Sequence, residues 1–167
     1  LNQQVRTDSN IVTFVADQYF CIQTPDVRAD SDIKTSNAIY VFTNQAKQTV
    51  TIGDLVNVSG TITETDDVTC FTSNGLQVLV LQSNLSLPME VILDDDFPKG
   101  IASSISEWEQ VEGMRVTIPA GTVCSPERFG DIYITAKSSR LFREPGIDFP
   151  GRNGLPVWDG NPEIILL

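Results

Sequence analysis

Three aspartates between two apolar runs, Asp26, Asp30 and Asp32, are the first residues here whose type and spacing could do chemistry. Ca²⁺ takes several oxygen ligands, and a loop of carboxylates and carbonyls offers them. The pattern falls short of an EF-hand loop, which adds a central glycine and a closing glutamate. The same residues also suit a solvated β-loop, since Asp and Asn form turns readily. A second acidic run, Asp94, Asp95 and Asp96, is a poorer ligand set because consecutive side chains diverge; it reads as a solvated turn. Ca²⁺ at Asp26, Asp30 and Asp32 is therefore the one cofactor for which the sequence offers a place.

Lys137, Arg140 and Arg143 form the only basic cluster, a candidate for positioning phosphates. The competing reading pairs them with Glu144 or Asp148 as ordinary surface ion pairs. Aromatic side chains on a small barrel can stack bases of single-stranded nucleic acid. Tyr19, Tyr40 and Phe42 stand on strand-like runs, and alternation turns Tyr19 outward while Phe20 and Ile22 turn inward. Lys137, Arg140, Arg143 and Tyr19 are thus the nucleic-acid-binding candidates, against the competing reading of the aromatics as core.

No catalytic set accompanies them. The chain has no histidine, which removes imidazole bases, Ser-His-Asp triads and His-ligated zinc. Cys21, Cys70 and Cys124 lack a C-x-x-C spacing. Cys21 lies in an apolar strand and reads as a buried thiol; Cys70 and Cys124 are a candidate disulfide if the compartment oxidises. Glu107, Glu109 and Glu112 lie along the edge of a helix with no partner chemistry, and no G-x-S-x-G elbow exists.

The elements that must position these residues are β-strands. The 167 residues are 41% hydrophobic, enough for a core, and too short in any apolar run to span a bilayer. Runs at 11–15, 19–23, 38–43, 55–64 and 76–81 are rich in β-branched and aromatic residues with turn signals between them. Residues 16–18 are a hairpin-length connection, Pro25 ends the second run, and Gly60 marks a bulge or bend in a long strand. About five strands in this length predict an OB-like Greek-key barrel over 1–87, closed so that its edges are hidden. Residues 88–142 read as a β-rich extension. It holds one short helix at 103–110, with Gly113 beyond its end, and strands at 114–118, 122–124 and 131–136. Residues 143–167, punctuated by glycine and proline, read as an extended tail or linker. The fold class expected is all-β.

The net charge of −11, from 22 acids against 11 bases, repels phosphate backbones and limits nucleic-acid contact to a local patch. The chain opens on Leu1 with a polar stretch, as an excised piece of a longer protein would.

Several motifs in order carry a resemblance. F-C-I-Q-T-P-D, the Asp-rich loop, T-S-N-A-I-Y-V-F-T and V-T-I-G-D-L-V-N-V-S-G-T-I-T-E resemble the OB-fold-like module of secreted bacterial nucleases of the endonuclease/exonuclease/phosphatase group. V-E-G-M-R-V-T-I, R-L-F-R-E-P-G-I and G-L-P-V-W-D-G-N-P-E resemble the segment joining that module to the catalytic domain. The resemblance implies a non-catalytic accessory module of an extracellular or cell-surface protein. Its partners would be the metal-dependent catalytic domain of the same parent chain and single-stranded nucleic acid. The alternative expectation is a protein-interaction or structural domain of a cell-surface assembly with no nucleic-acid role.

Overall fold

The computed structural model describes residues 2–30, 32, 34–44, 49–65, 68–97, 104–124, 130–138 and 164–166. Two compact units share the chain: Leu1–Val91 with Glu109–Arg115, and Ile92–Trp108 with Val116–Leu167.

The first unit is the barrel. Its strands are β1 (Gln3–Val15), β2 (Tyr19–Gln23), β3 (Ala38–Phe42), β4 (Leu55–Thr65), β5 (Val68–Phe71) and β6 (Gln77–Gln82). The order is β1-β2-β3-β5-β4-β6, and a further β1–β4 pairing closes the first five into a ring. All ring contacts are antiparallel except β3–β5, which is parallel with Tyr40 beside Cys70. This is the OB-type Greek-key barrel.

Closure depends on β1 serving two neighbours. It pairs with β4 from Gln3 beside Ile62 to Ile11 beside Leu55, and with β2 from Ile11 beside Gln23 to Val15 beside Phe20. A register shift within each pairing, between Thr7 and Asn10 against β4 and between Val12 and Phe14 against β2, adds the twist that lets one strand serve both partners. Ser9 adopts φ 55° at the first shift, and the Asn57 side chain accepts its N–H at 2.8 Å. The polar stretch 3–10 is thus strand, although its residues carry little β signal; pairing with β4 holds it extended.

A second difference concerns the fifth strand of the ring. The run at 76–81 corresponds to β6, which hangs on β4 beyond the ring, and the ring is completed by β5. The change of partner along β4 falls around Gly60. The β1 ladder passes Gly60 without a shift, while on the other edge β5 gives way to β6. A Cβ on Gly60 would lie 3.3 Å from the Phe71 ring and 3.4 Å from Leu76, so the backbone is bare where those side chains cross it.

The core gathers Val12, Phe20, Ile22, Val41, Val50, Val56, Val58 and Phe71, with Ile39, Ile62, Leu76 and Val78 packed around it. These are alternate residues of each strand, as a one-sided sheet requires. Thr51–Asp54 form the turn into β4: Asp54 N donates to Thr51 O at 3.1 Å, and the Asp54 carboxylate accepts from Thr51 N at 2.8 Å.

In the second unit, Leu93 N donates to Thr117 O at 2.8 Å beside the short pairing of β7 (Val91–Ile92) with β8 (Val116–Thr117). Strands β9 (Thr122–Val123), β10 (Tyr133–Thr135) and β11 (Ile164–Leu166) form an antiparallel sheet in the order β11-β10-β9. The helix α1 spans Ser104–Gln110, and Trp108 meets Phe97 edge-on at 4.9 Å. No helix among the described residues is long and apolar enough to cross a membrane.

Candidate functional site

Alternation along β2 and β3 sets which side chains leave the core. Phe20, Ile22 and Val41 are buried inside the barrel. Their neighbours Tyr19, Cys21, Gln23, Ala38, Tyr40 and Phe42 therefore share the opposite face, and the register places Tyr19 beside Phe42, Cys21 beside Tyr40 and Gln23 beside Ala38. Phe14 on β1 sits opposite Cys21, and Cys70 on β5 sits beside Tyr40. One row thus crosses four strands: Phe14, Cys21, Tyr40, Cys70.

Four rings meet on this face. Tyr19 lies 5.7 Å from Phe14, 5.9 Å from Tyr40 and 5.5 Å from Phe42, and Tyr40 lies 6.5 Å from Phe42 in a stacked arrangement. These centroid distances fall within the range of favourable aromatic pairs. Phe14 is 47% exposed, and Tyr19, Tyr40 and Phe42 are half-buried. The reading of Tyr19 as outward matches this placement; the participation of Phe14 is visible only once the β1–β2 register is known.

The other end of the face is covered by the chain itself. Ser36 Oγ donates to Glu112 O at 2.6 Å, Thr69 N to a Glu112 carboxylate oxygen at 2.9 Å, and Arg115 N to the Gln23 side-chain oxygen at 2.9 Å. Gly113 adopts φ 68°, and a Cβ there would lie 3.3 Å from the Tyr40 ring. Glycine is required at that point for both reasons. The Arg115 guanidinium donates to Pro88 O and lies 3.5 Å from Glu90.

Four groups on and around this face, Cys21, Tyr40, Cys70 and Glu112, shift toward their neutral forms. Burial pushes the Cys21 thiol up to about 12. Burial also raises Cys70, and it raises Tyr40 with help from Cys21, Tyr19 and Glu112. Glu112 lies above the ordinary carboxylate range, first through burial and then through Glu109 and Glu64; the Thr69 N–H partly offsets this. Desolvation leads in every case, as expected for an apolar face. The ring cluster, open to solvent at Phe14, is the candidate binding surface.

The other candidates take different places. Asp26 accepts the Met89 N–H on both oxygens at 3.0 and 3.1 Å, Asp30 accepts from Asp32 N at 3.0 Å, and Asp32 accepts from Lys34 N at 3.0 Å. Each carboxylate accepts from a backbone N–H, that of Asp26 across 63 residues and those of Asp30 and Asp32 two residues on. Among the described residues, no group of three or more His, Cys, Asp or Glu side chains is placed to hold a metal ion. Lys137 Nζ donates to Asp95 O at 2.8 Å, and the Asp95 carboxylate binds Ser138 through its N–H and hydroxyl. Asp94 accepts from Asp96 N at 3.0 Å, the turn expected of that acidic run. Arg140 and Arg143, and the tail from 143 to 163, lie outside the described residues.

All three cysteines are buried thiols, which corrects the candidate pairing of Cys70 with Cys124. Cys70 instead has its sulfur 3.8 Å from the Thr65 hydroxyl. Comparison of the chain with family models, curated proteins and solved structures finds no match.

Proposed function

We propose that this chain is a non-catalytic accessory module of a larger secreted protein, a nuclease by resemblance, and that its ring-bearing face holds bases of single-stranded nucleic acid. The observation that carries the reading is the cluster of Phe14, Tyr19, Tyr40 and Phe42 on the outer face of β1, β2 and β3. In OB barrels the face of strands 2 and 3 is the surface used for oligonucleotides and oligosaccharides. Bases stack on such rings whatever their identity, because every base presents a flat π face.

The charge distribution defines the mode of binding. The face residues carry no cation, and Arg6, Arg28 and Arg115 are engaged with Asp8, Asn10 and Glu90. Stacking, not phosphate neutralisation, therefore supplies the affinity, and the dependence on salt is shallow. A second reading has one observation behind it: Glu109–Arg115 already packs on this face, with Gly113 against Tyr40. The surface accepts protein, so the open rings could equally brace the catalytic domain of the parent.

Titration of labelled oligothymidylate into the chain at several salt concentrations tests the first reading. Saturable binding that holds or strengthens slightly as salt screens the acidic charge supports it. No binding at any salt concentration, or binding that weakens steeply with salt, overturns it and leaves the bracing role.

A further inference from the structure

Ring closure does not reach β6, which is paired along one edge. Among the described residues β6 pairs only with β4, through Ser59–Gln77, Val58–Val78, Asn57–Leu79 and Val56–Val80, and it ends the strand order. Among the described residues, its second edge therefore has no strand partner for its backbone N–H and C=O groups. Natural edge strands are normally protected by lysine, proline, inward charge or brevity. Gln77–Gln82 reads Q-V-L-V-L-Q and has none of the protective residue types. Leu79 is 59% exposed, Leu81 47% and Val80 39%. The register shift against Leu55 and Val56 falls at its far end, leaving 77–80 regular.

Charge narrows the choice of occupant. The chain carries −11, yet residues 68–89 contain no charged side chain at all. A net −11 on each copy opposes association in general, whereas two copies approaching along β6 bring neutral, apolar edges together. Symmetry supplies the rest. An antiparallel pair related by a two-fold axis normal to the sheet must place a residue against its own mate, because opposed residues point to the same face. With the axis at Leu79, Leu79 meets Leu79 and Val78 meets Val80. Val78 and Val80 already share the core side of β6, opposite the buried Val58 and Val56. The contact is isologous, consumes both free edges and stops at two.

We infer that β6 is a self-association edge through which two copies of this chain pair antiparallel about Leu79, continuing one sheet across the dimer. The rings of the proposed binding face lie on β1, β2 and β3, so this inference stands apart from that reading.

Sedimentation velocity of the full 167-residue chain, from micromolar to millimolar, is the test. The expected result is a concentration-dependent doubling of mass that strengthens as salt screens the acidic charge. Leu79→Lys sets like charges directly opposite one another and is expected to leave only monomer, with a melting temperature that matches wild type at concentrations where wild type is monomeric, since the side chain is exposed. Leu79→Cys is expected to give a disulfide-linked dimer with diamide as oxidant; Cys21, Cys70 and Cys124 are buried. A wild-type chain that stays monomeric throughout overturns the inference. So does a dimer that survives Leu79→Lys or weakens with salt, open-ended growth, or a Leu79→Cys chain that fails to cross-link.

Discussion

Replacing Tyr19 by alanine separates what the ring cluster does for the fold from what it does for a ligand. Tyr19 is the hub: its ring lies 5.5 to 5.9 Å from those of Phe42, Phe14 and Tyr40. An aromatic pair contributes about 0.5–1.5 kcal/mol beyond its buried area. Three pairs set a range of about 1.5–4.5 kcal/mol, and the half-exposed setting places Tyr19→Ala toward its lower end, at about 2 kcal/mol. For a chain of this length that lowers the melting temperature by about 4–8 °C. Tyr19→Phe keeps every ring contact and stays within about 0.5 kcal/mol of wild type, because only the hydroxyl is lost. The binding arm uses the same two variants. Removing one stacking platform costs about 1–3 kcal/mol per base, so Tyr19→Ala weakens oligothymidylate binding by about 5- to 150-fold, measured by fluorescence anisotropy well below the variant's melting temperature. Tyr19→Phe binds as wild type does. If Tyr19→Ala is as stable as wild type, the rings are not energetically coupled. If it binds undiminished, or if Tyr19→Phe is as weak as Tyr19→Ala, stacking on this face is refuted.

The remaining predictions concern the barrel and the segment laid across it. Phe71→Ala removes a fully buried ring over Gly60 and costs about 3–5 kcal/mol, read from urea denaturation; a loss below about 1 kcal/mol contradicts the packing. Gly113→Ala forces a side chain into a left-handed conformation and against Tyr40, and destabilises by about 1–2 kcal/mol on the same assay. The folded state raises the proton affinity of Glu112, so its burden on stability is absent below the unfolded carboxylate pKa and grows as pH rises through the folded one. Glu112→Gln keeps an oxygen for Thr69 N and is therefore more stable than wild type at neutral pH, with the gain vanishing in acid; a variant less stable at neutral pH reverses the argument. Cys21, with its pKa near 12, resists alkylation at mildly alkaline pH until the chain unfolds; rapid labelling of the native protein contradicts its burial.

Local pattern carried the strands whose neighbours in sequence reveal them. The β1–β2 hairpin follows from two β-rich runs joined by residues 16–18, and the inward turn of Phe20 and Ile22 follows from a period of two. The end of α1 shortly before Gly113 follows from helix-stop chemistry. The polar start of β1 is different. Gln3, Gln4 and Arg6 carry no strand signal, and they are extended because Ser59–Ile62, more than fifty residues away, pairs with them. β5 is likewise only four residues long, and its place in the ring depends on β3 as much as on β4.

The candidate site divides along the same line. Composition alone removed histidine chemistry and set the acidic charge, because these depend on which residues are present and not on where they lie. Alternation alone turned Tyr19 away from Phe20. The union of Phe14, Tyr19, Tyr40 and Phe42, the seat of Gly113 on Tyr40, the engagement of Asp26 with Met89 and the stranding of β6 outside the ring were decided by tertiary structure. A repeat of two residues fixes which side of a strand a group leaves from. Which other strand it then meets is a matter of register and closure between distant segments, and no local spacing encodes that.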